Sequence, residues 1–361
     1  MTATLRVVLD QAVAATDEDL RSASVELTRA LVAATPKGAE VAAIVPADAG
    51  DVGSSIPGLA RVDRVPLKRG QLAAACSMGV VPGIGGGMIH SPTLLAPLVR
   101  HDRVHDHDQT VVTLWSLEPW THPERLSRGS VAWHRAMLKR AVKHADAVVV
   151  PTHAMARELA ERTKLGGRVR VISGAVPRMP APDARAGGDP EVVIDAARAS
   201  ADELETALHA VAGITEATVT LLAGGADDET EQMLEVASAA GVPEHRVRVA
   251  APGRDERAAT LAGATAFVDL SAGLSFPWRM LEALAAGVPV VAASSAQNAE
   301  VLADAGQLVA VDGIEPVAST LNRILADAEL ATRLRVLSLD RAKAFSWDDT
   351  AQRVWQLHAE L

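Results

Sequence analysis

One cysteine, Cys76, stands among 361 residues, so no disulfide can close within the chain. There is no tyrosine, and three Phe and six Trp are the only aromatics. The core must therefore come from Ala, Val and Leu, side chains small enough for close packing of helices on a sheet. No apolar run reaches the length of about 18 residues that a membrane-crossing helix needs. The opening stretch, MTATLRVVLDQ, lacks the basic and apolar regions of a secretory signal. The expectation is a cytoplasmic protein. Positive charge is also short: 35 Lys and Arg face 45 Asp and Glu, a net charge of −10. That balance argues against a nucleic-acid partner, whose phosphates need cations to replace counterions. A local basic patch leaves contact with an anionic membrane or a nucleotide open.

What is present is apolar and regularly spaced. Hydrophobic residues make up 48% and charged residues 22%, which excludes global disorder. The length suits two domains. Short apolar runs alternate with longer amphipathic ones. LRVVLD (5–10), EVAAIV (40–45), GMIHS, TVVTLW, DAVVVP (146–151) and RVRVIS (168–173) are expected strands. Helices are expected over 17–34, with Asp17 as cap, near 131–145, and over 153–163, capped by Thr152. The stretch 175–190 holds four prolines and two glycines in 16 residues and marks a linker. A second alternating series follows it, with strands expected at 191–196, 217–224, 246–250, 264–270, 288–294 and 307–311, and three helices closing the chain. Such alternation means right-handed βαβ units and parallel sheets. The expected fold is α/β: two Rossmann-like domains facing across a cleft, with ligands at the carboxyl ends of the strands.

The segment SFPWRMLEALAAGVPVVAASS (275–295) combines a helix, a tight Gly-x-Pro link and a buried strand. Pro277 fits the first turn of the helix, and Gly287 and Pro289 end it. The helix start suits a phosphate. Glu282, just over one turn in, is a carboxylate suited to accept hydrogen bonds from two vicinal ribose hydroxyls; a solvated helix Glu is the plainer alternative.

FPWRMLEALAAGVPVVAASSAQNAEVLADAG resembles the donor-nucleotide motif of family 4 retaining glycosyltransferases, which have the GT-B fold. The second Glu of that family's pair falls on Glu282, and Gly287, Pro289, Val290 and Glu300 also match. GGMIHSPTLLAPL, TVVTLWSLEPWTHPERL and ADAVVVPTHAMARELAERTKLGGRVRVISGAVP resemble the N-terminal half of the family, its actinobacterial members in particular. The resemblance implies sugar transfer from a nucleotide-diphosphate donor to an acceptor hydroxyl, with retention and with no cofactor or metal required. It also implies an acceptor-side domain (1–175), a linker (176–190), a donor domain (191–345) and a last helix (346–361) that packs back on the first domain.

Several positions depart from the family pattern. Its first Glu, eight residues before Glu282, is Leu274, beside Ser275, and leucine cannot accept a hydroxyl hydrogen bond. Its VVTVHD step reads VVTLWS, so Trp115 and Ser116 replace a His and an Asp. The first loop, DQAVAATDED, has no glycine for backbone approach to a diphosphate. The cation clamp after the first strand of the second half has Arg198 but no Lys; Arg254 or Arg279 would have to replace it. Arg279, three residues before Glu282, either faces the diphosphate or pairs with that Glu. On the reaction side stand His90 and Ser91, expected to point to the cleft, where they either touch donor or acceptor or leave His90 as a satisfied strand-end histidine, and Trp115, which either stacks on a sugar or fills space.

HDRVHDHD (101–108) has zinc-like ligands but fits a solvated loop better. PGIGGGM (82–88) is a turn leading to a strand and not a dinucleotide fingerprint. His122 either stands in for the missing His or, as Pro119 and Pro123 suggest, belongs to a structural turn, and Cys76 is a small buried or partly buried residue. Two main readings follow. One is an active glycosyltransferase, with a nucleotide sugar and an unknown acceptor as partners. The other is a non-catalytic homologue acting as a binding module, or as the protein partner of an active paralogue or of its own copies. A third is another enzyme of the same fold, such as a nucleotide-sugar epimerase.

Overall fold

The computed structural model describes residues 2–14, 16–81, 83–102, 105, 107–176, 189–225 and 229–361. The chain forms two compact units. The first comprises Met1–Pro177, Gly273–Phe276 and Ser346–Leu361; the second comprises Arg178–Ala272 and Pro277–Phe345. Most of the proline-rich stretch expected as a linker lies outside the described residues.

Unit 1 holds strands β1 (Ala3–Val8), β2 (Ala39–Val45), β3 (Arg61–Arg64), β4 (Met88–Ser91), β5 (Gln109–Thr113), β6 (Ala147–Val150) and β7 (Val169–Val171). They form one parallel sheet in the order β3-β2-β1-β4-β5-β6-β7. Unit 2 holds β8 (Glu191–Ile194), β9 (Thr218–Leu222), β10 (Val247–Ala250), β11 (Ala266–Asp269), β12 (Val290–Ala293) and β13 (Gly306–Val309). Their parallel order is β10-β9-β8-β11-β12-β13. Both are doubly wound orders, which reverse direction beside the first strand. The central strands are buried on both faces, as AVVV of β6 and VVAA of β12 show. That explains their unbroken apolar runs, since helices cover both faces of a parallel sheet.

The helices begin where their caps dictate. Asp17 accepts a hydrogen bond from Leu20 N at the start of Glu18–Ala33, and Thr152 accepts one from Met155 N at the start of His153–Arg162. Ser200 and Glu203 form a reciprocal capping box at Ala201–Ala212. Gly287, at φ +68, ends Trp278–Ala285 in the left-handed conformation that glycine adopts without strain.

Three expectations shift. β1 ends at Val8 and β5 at Thr113, so Asp10, Trp115 and Ser116 lie in the loops at the carboxyl edge. Pro277 is the residue before the helix and not within its first turn. The edge strand β3 has no counterpart in the sequence reading, because Arg61, Val62 and Arg64 are exposed and the run is charged.

Each unit has its own core. Unit 1 is built around Val8, Ile44, Ile89, Val112, Val148 and Leu159, with Cys76 among them. Unit 2 is built around Val192, Leu208, Val219, Val268, Val291 and Leu321. The last helix, Trp347–Glu360, lies in unit 1: Trp355 Nε1 donates to Leu31 O at 3.1 Å, and Thr350 Oγ1 donates to Ser173 O at 2.7 Å.

Candidate functional site

In unit 2 the strand order reverses between β8 and β11, where Ile194 stands opposite Val268. The residue that follows each of these in the chain is an aspartate, Asp195 just past β8 and Asp269 at the end of β11, and both are 1% exposed. Asp269 Oδ1 accepts from Ser271 N at 3.0 Å. Oδ2 of each aspartate has no hydrogen-bond partner among the described residues. Burial pushes the Asp269 carboxyl up to about 6; the nearby Arg198 guanidinium opposes the rise, and Asp195 and Glu203 add to it.

Arg279 does not pair with Glu282. It donates Nη1 to Asp195 Oδ1 at 2.8 Å and to Leu222 O at 3.1 Å, and Nη2 to Ala223 O at 3.3 Å. Its guanidinium thus lies across the carboxyl ends of β8 and β9. Glu282 is 2% exposed, so the solvated-helix alternative is excluded. Arg257, from the helix Arg254–Gly263, donates Nε to Glu282 Oε2 at 2.5 Å and Nη2 to Oε1 at 2.9 Å. Arg254 Nε stands 3.9 Å from Oε1. This fork takes two of the roughly four acceptor positions of a carboxylate. Among the expected donor-side residues, Arg198, Arg254, Arg279 and Glu282 therefore share this part of unit 2, each facing opposite charge. Arg257, Asp195 and Asp269 complete the constellation.

Leu274 and Ser275 fall elsewhere. They belong to the segment Gly273–Phe276 of unit 1, beside Trp115 and Ser116. Leu117 N donates to Leu274 O and Phe276 N to Trp115 O, both at 2.8 Å, and Ser116 forms an antiparallel bridge with Ser275. Trp115 is 7% exposed and donates Nε1 to Pro92 O at 2.7 Å. Its ring meets Phe276 at 5.6 Å between centroids. Of its two alternatives, Trp115 fills space. Ser116 Oγ accepts from Glu118 N at 3.1 Å and starts a short turn.

His90 also departs from expectation. It is fully buried, and its ring meets His358 of the last helix at 5.5 Å between centroids. Of its two alternatives, ligand contact or a structural strand-end histidine, the geometry favours the second, because the ring faces the helix that covers the sheet. Burial, and then His358, hold its pKa well below the usual range. Ser91 Oγ donates to Leu95 O at 2.9 Å inside the chain turn after β4.

The carboxyl edge of unit 1 carries a cluster that the sequence reading missed. Asp10, 1% exposed, accepts from Thr93 Oγ1 at 2.7 Å, from Gln11 Nε2 at 2.8 Å and from Arg69 Nε at 3.2 Å. Burial raises its pKa, and Arg69 is the chief opposing influence. A signal was available: three buried runs, LRVVLD, EVVID and AFVD, each end in aspartate. In the 101–108 loop, His101 pairs with Asp146 at 2.8 Å and His105 with Asp102 at 2.7 Å; residues 103, 104 and 106 are outside the described residues. Burial lifts the Cys76 thiol to about 11, which makes it a poor nucleophile.

Residues 190–327 match the family model described as glycosyl transferases group 1. Solved structures match over the whole chain. A sucrose-phosphate synthase from Thermosynechococcus elongatus aligns with TM-score 0.74 at 20% identity, covering 99% of this chain and 98% of that one. Anabaena HepE, in complex with UDP and glucose, aligns with TM-score 0.71 at 15% identity over 100% of both chains. A glycosyltransferase from Rickettsia africae aligns with TM-score 0.66 at 11% identity over 99% and 98%. These likenesses establish the fold: two Rossmann-like parallel-sheet domains of the GT-B type. No curated protein matches the chain.

Proposed function

We propose that this protein is a glycosyltransferase that uses a nucleoside-diphosphate sugar, held on unit 2, and transfers the sugar to an acceptor hydroxyl with retention. The reading is of a cytoplasmic enzyme of the family 4 type that needs no metal. The observation that carries it is the carboxyl edge of unit 2. There Arg198, Arg254 and Arg279 and the carboxylate of Glu282 come together, within the 190–327 stretch that matches the group 1 model. Guanidinium groups suit a diphosphate, and a carboxylate suits ribose hydroxyls. In the transfer, the bond from the anomeric carbon to the diphosphate breaks, a bond to the acceptor oxygen forms as its O–H bond breaks, and the nucleoside diphosphate leaves and takes up the hydroxyl proton. Because HepE was solved with UDP and glucose, UDP is the first nucleotide to test.

A second reading has a specific basis. The cations here already face acids, and Leu274 and Trp115 are built into unit 1. A diphosphate would have to draw guanidinium groups away from Asp195 and Glu282. This favours a homologue that binds without turnover. Calorimetry with UDP and GDP, followed by a donor-hydrolysis assay, separates the two. Binding that weakens about tenfold or more in Arg198→Ala, with nucleotide release from the sugar donor, supports the enzyme. Binding without turnover, with or without added acceptors, selects the second reading. No binding of any nucleotide removes the donor site altogether.

A further inference from the structure

The charge of the chain is unevenly placed. Residues 178–345 carry 13 Lys and Arg against 25 Asp and Glu, whereas residues 61–177 carry 17 against nine. The excess of cations is concentrated on one helix. Arg128–His144 has five Lys and Arg, two His and no acid. Its buried side is Met137, Leu138 and Ala141. Arg128, Arg135, Lys139 and Lys143 are exposed, and spacings of seven, four and four put them in one stripe. Arg135 also donates Nε to Pro119 O at 3.1 Å.

Apolar groups stand on the flank of the same helix. Trp133 Nε1 donates to Ala73 O at 3.1 Å and ties the basic helix to Arg69–Met78. At the end of that second helix Met78 is 72% exposed and Val80 is 54% exposed, the former the most exposed large hydrophobic among the described residues. Gly79, between them, lies against the Arg140 guanidinium so closely that a Cβ there would collide with it. At the other end of the basic helix, Lys143, His144, Arg100 and Arg170 line an open pocket of about 610 Å³ together with the acids Asp146 and Glu360. Asp146 is turned inward onto His101 Nε2 and Thr110 N, each at 2.8 Å from Oδ2. The pocket opens at the amino ends of β6 and β7, the opposite edge of the sheet from Asp10.

We propose that this face of unit 1 docks on an anionic lipid bilayer, with Arg128, Arg135, Lys139 and Lys143 along the headgroups and Met78 and Val80 entering the interface. From Arg128 to Lys143 the stripe runs about 22 Å, too long for one small anion and suited to a charged plane. A nucleic acid would attract the cations but gain nothing from Met78 and Val80; the boundary between headgroups and acyl chains accommodates both. The inference does not depend on the donor chemistry of unit 2.

Co-sedimentation of the full chain with vesicles tests it. Vesicles of phosphatidylcholine with a third phosphatidylglycerol are expected to pellet the protein at low salt and release it at high salt, while pure phosphatidylcholine leaves it in solution. Each cation near an anionic surface is worth about fivefold in partitioning, so K139E/K143E should weaken binding by about 25-fold or more. M78S/V80S, which leaves the charge unchanged, should weaken it too. All four residues are exposed, and unchanged thermal melts would confirm the fold. Absence of binding, equal binding to neutral vesicles, or indifference to K139E/K143E overturns the proposal. So does binding to an oligonucleotide alone, or self-association that K139E/K143E abolishes while vesicles never bind; the latter would mean pairing with the acidic residues of a second copy.

Discussion

Glu282 and Arg257 are each about 3% exposed at the side chain and meet in a fork. Removing one partner leaves the other as an uncompensated buried charge, which costs about 3–5 kcal/mol. Arg257→Met and Glu282→Leu should each lower stability by that order, and the double substitution should recover most of the loss. Urea titrations of the four proteins measure the coupling; additive losses would show that the fork contributes little. Asp269 behaves differently. Its folded pKa of about 6 lies above the ordinary carboxylate value, so the folded chain binds the proton more tightly than the unfolded chain. The Asp269 contribution to stability therefore rises as pH falls from above 6 toward 4, and the ionised form is a burden at pH 7 and above. Asp269→Asn, which keeps an acceptor for Ser271 N, should stabilise the protein by about 2–3 kcal/mol at pH 8 and have little effect at pH 4. These partnerships explain why the sequence disclosed the site only in part. Arg198, Arg254, Arg279 and Glu282 stand in recognisable surroundings, but their acids do not. Arg257 and Glu282 are 25 positions apart, and Arg279 and Asp195 are 84 apart, so only the closed sheet pairs them.

The helix Trp347–Glu360 gives the chain a second pH response of opposite sign. His358 Nδ1 lies 2.9 Å from Gln109 Oε1, and its Nε2 lies 3.4 Å from His90 Nδ1. Burial depresses the His358 pKa to about 4 and holds that of His90 lower than usual as well. Below the unfolded value of about 6.5 the unfolded chain takes up protons that the folded chain refuses. The His358 contribution to stability should then fall as pH drops from 6.5 to 4, by about 3 kcal/mol. In wild type the Asp269 and His358 contributions oppose each other across this window, so the clean measurement is the difference in slope between wild type and His358→Leu, read by thermal melts. Equal slopes would show that His358 titrates normally. The helix itself was expected among the three that close the chain, and its return to unit 1 was implied by resemblance. Its closure over His90 was not legible. A histidine at the end of an apolar strand looks the same whether it meets ligand or helix, and only the register of β4 with β1 and β5 fixes its surroundings.

Alternation of apolar runs was enough to give two parallel sheets, because a strand buried on both faces leaves a compositional trace that loops cannot imitate. What alternation does not show is where one unit's chain stops. Gly273–Phe276 and Ser346–Leu361 belong to unit 1 although unit 2 lies before and after the first of them in sequence. Leu274 and Ser275 therefore follow a strand of unit 2 in the chain and yet pair with Trp115 to Leu117. Each unit has a separate core, and this arrangement makes a measurable demand. Deleting residues 346–361 removes Trp347, Ala351, Val354, Trp355 and Leu357 from contact with unit 1, all of them buried. At about 1.5–3 kcal/mol for each large side chain, the loss is comparable with the entire stability of a domain. Scanning calorimetry of the truncated chain should show the unit 1 transition lowered by 10 °C or more, on the order expected for several kcal/mol, or lost. The transition of unit 2, whose core draws nothing from that helix, should stay where it is. A joint fall of both transitions would mean that the two cores melt as one cooperative body, and that the helix stabilises more than the sheet it covers.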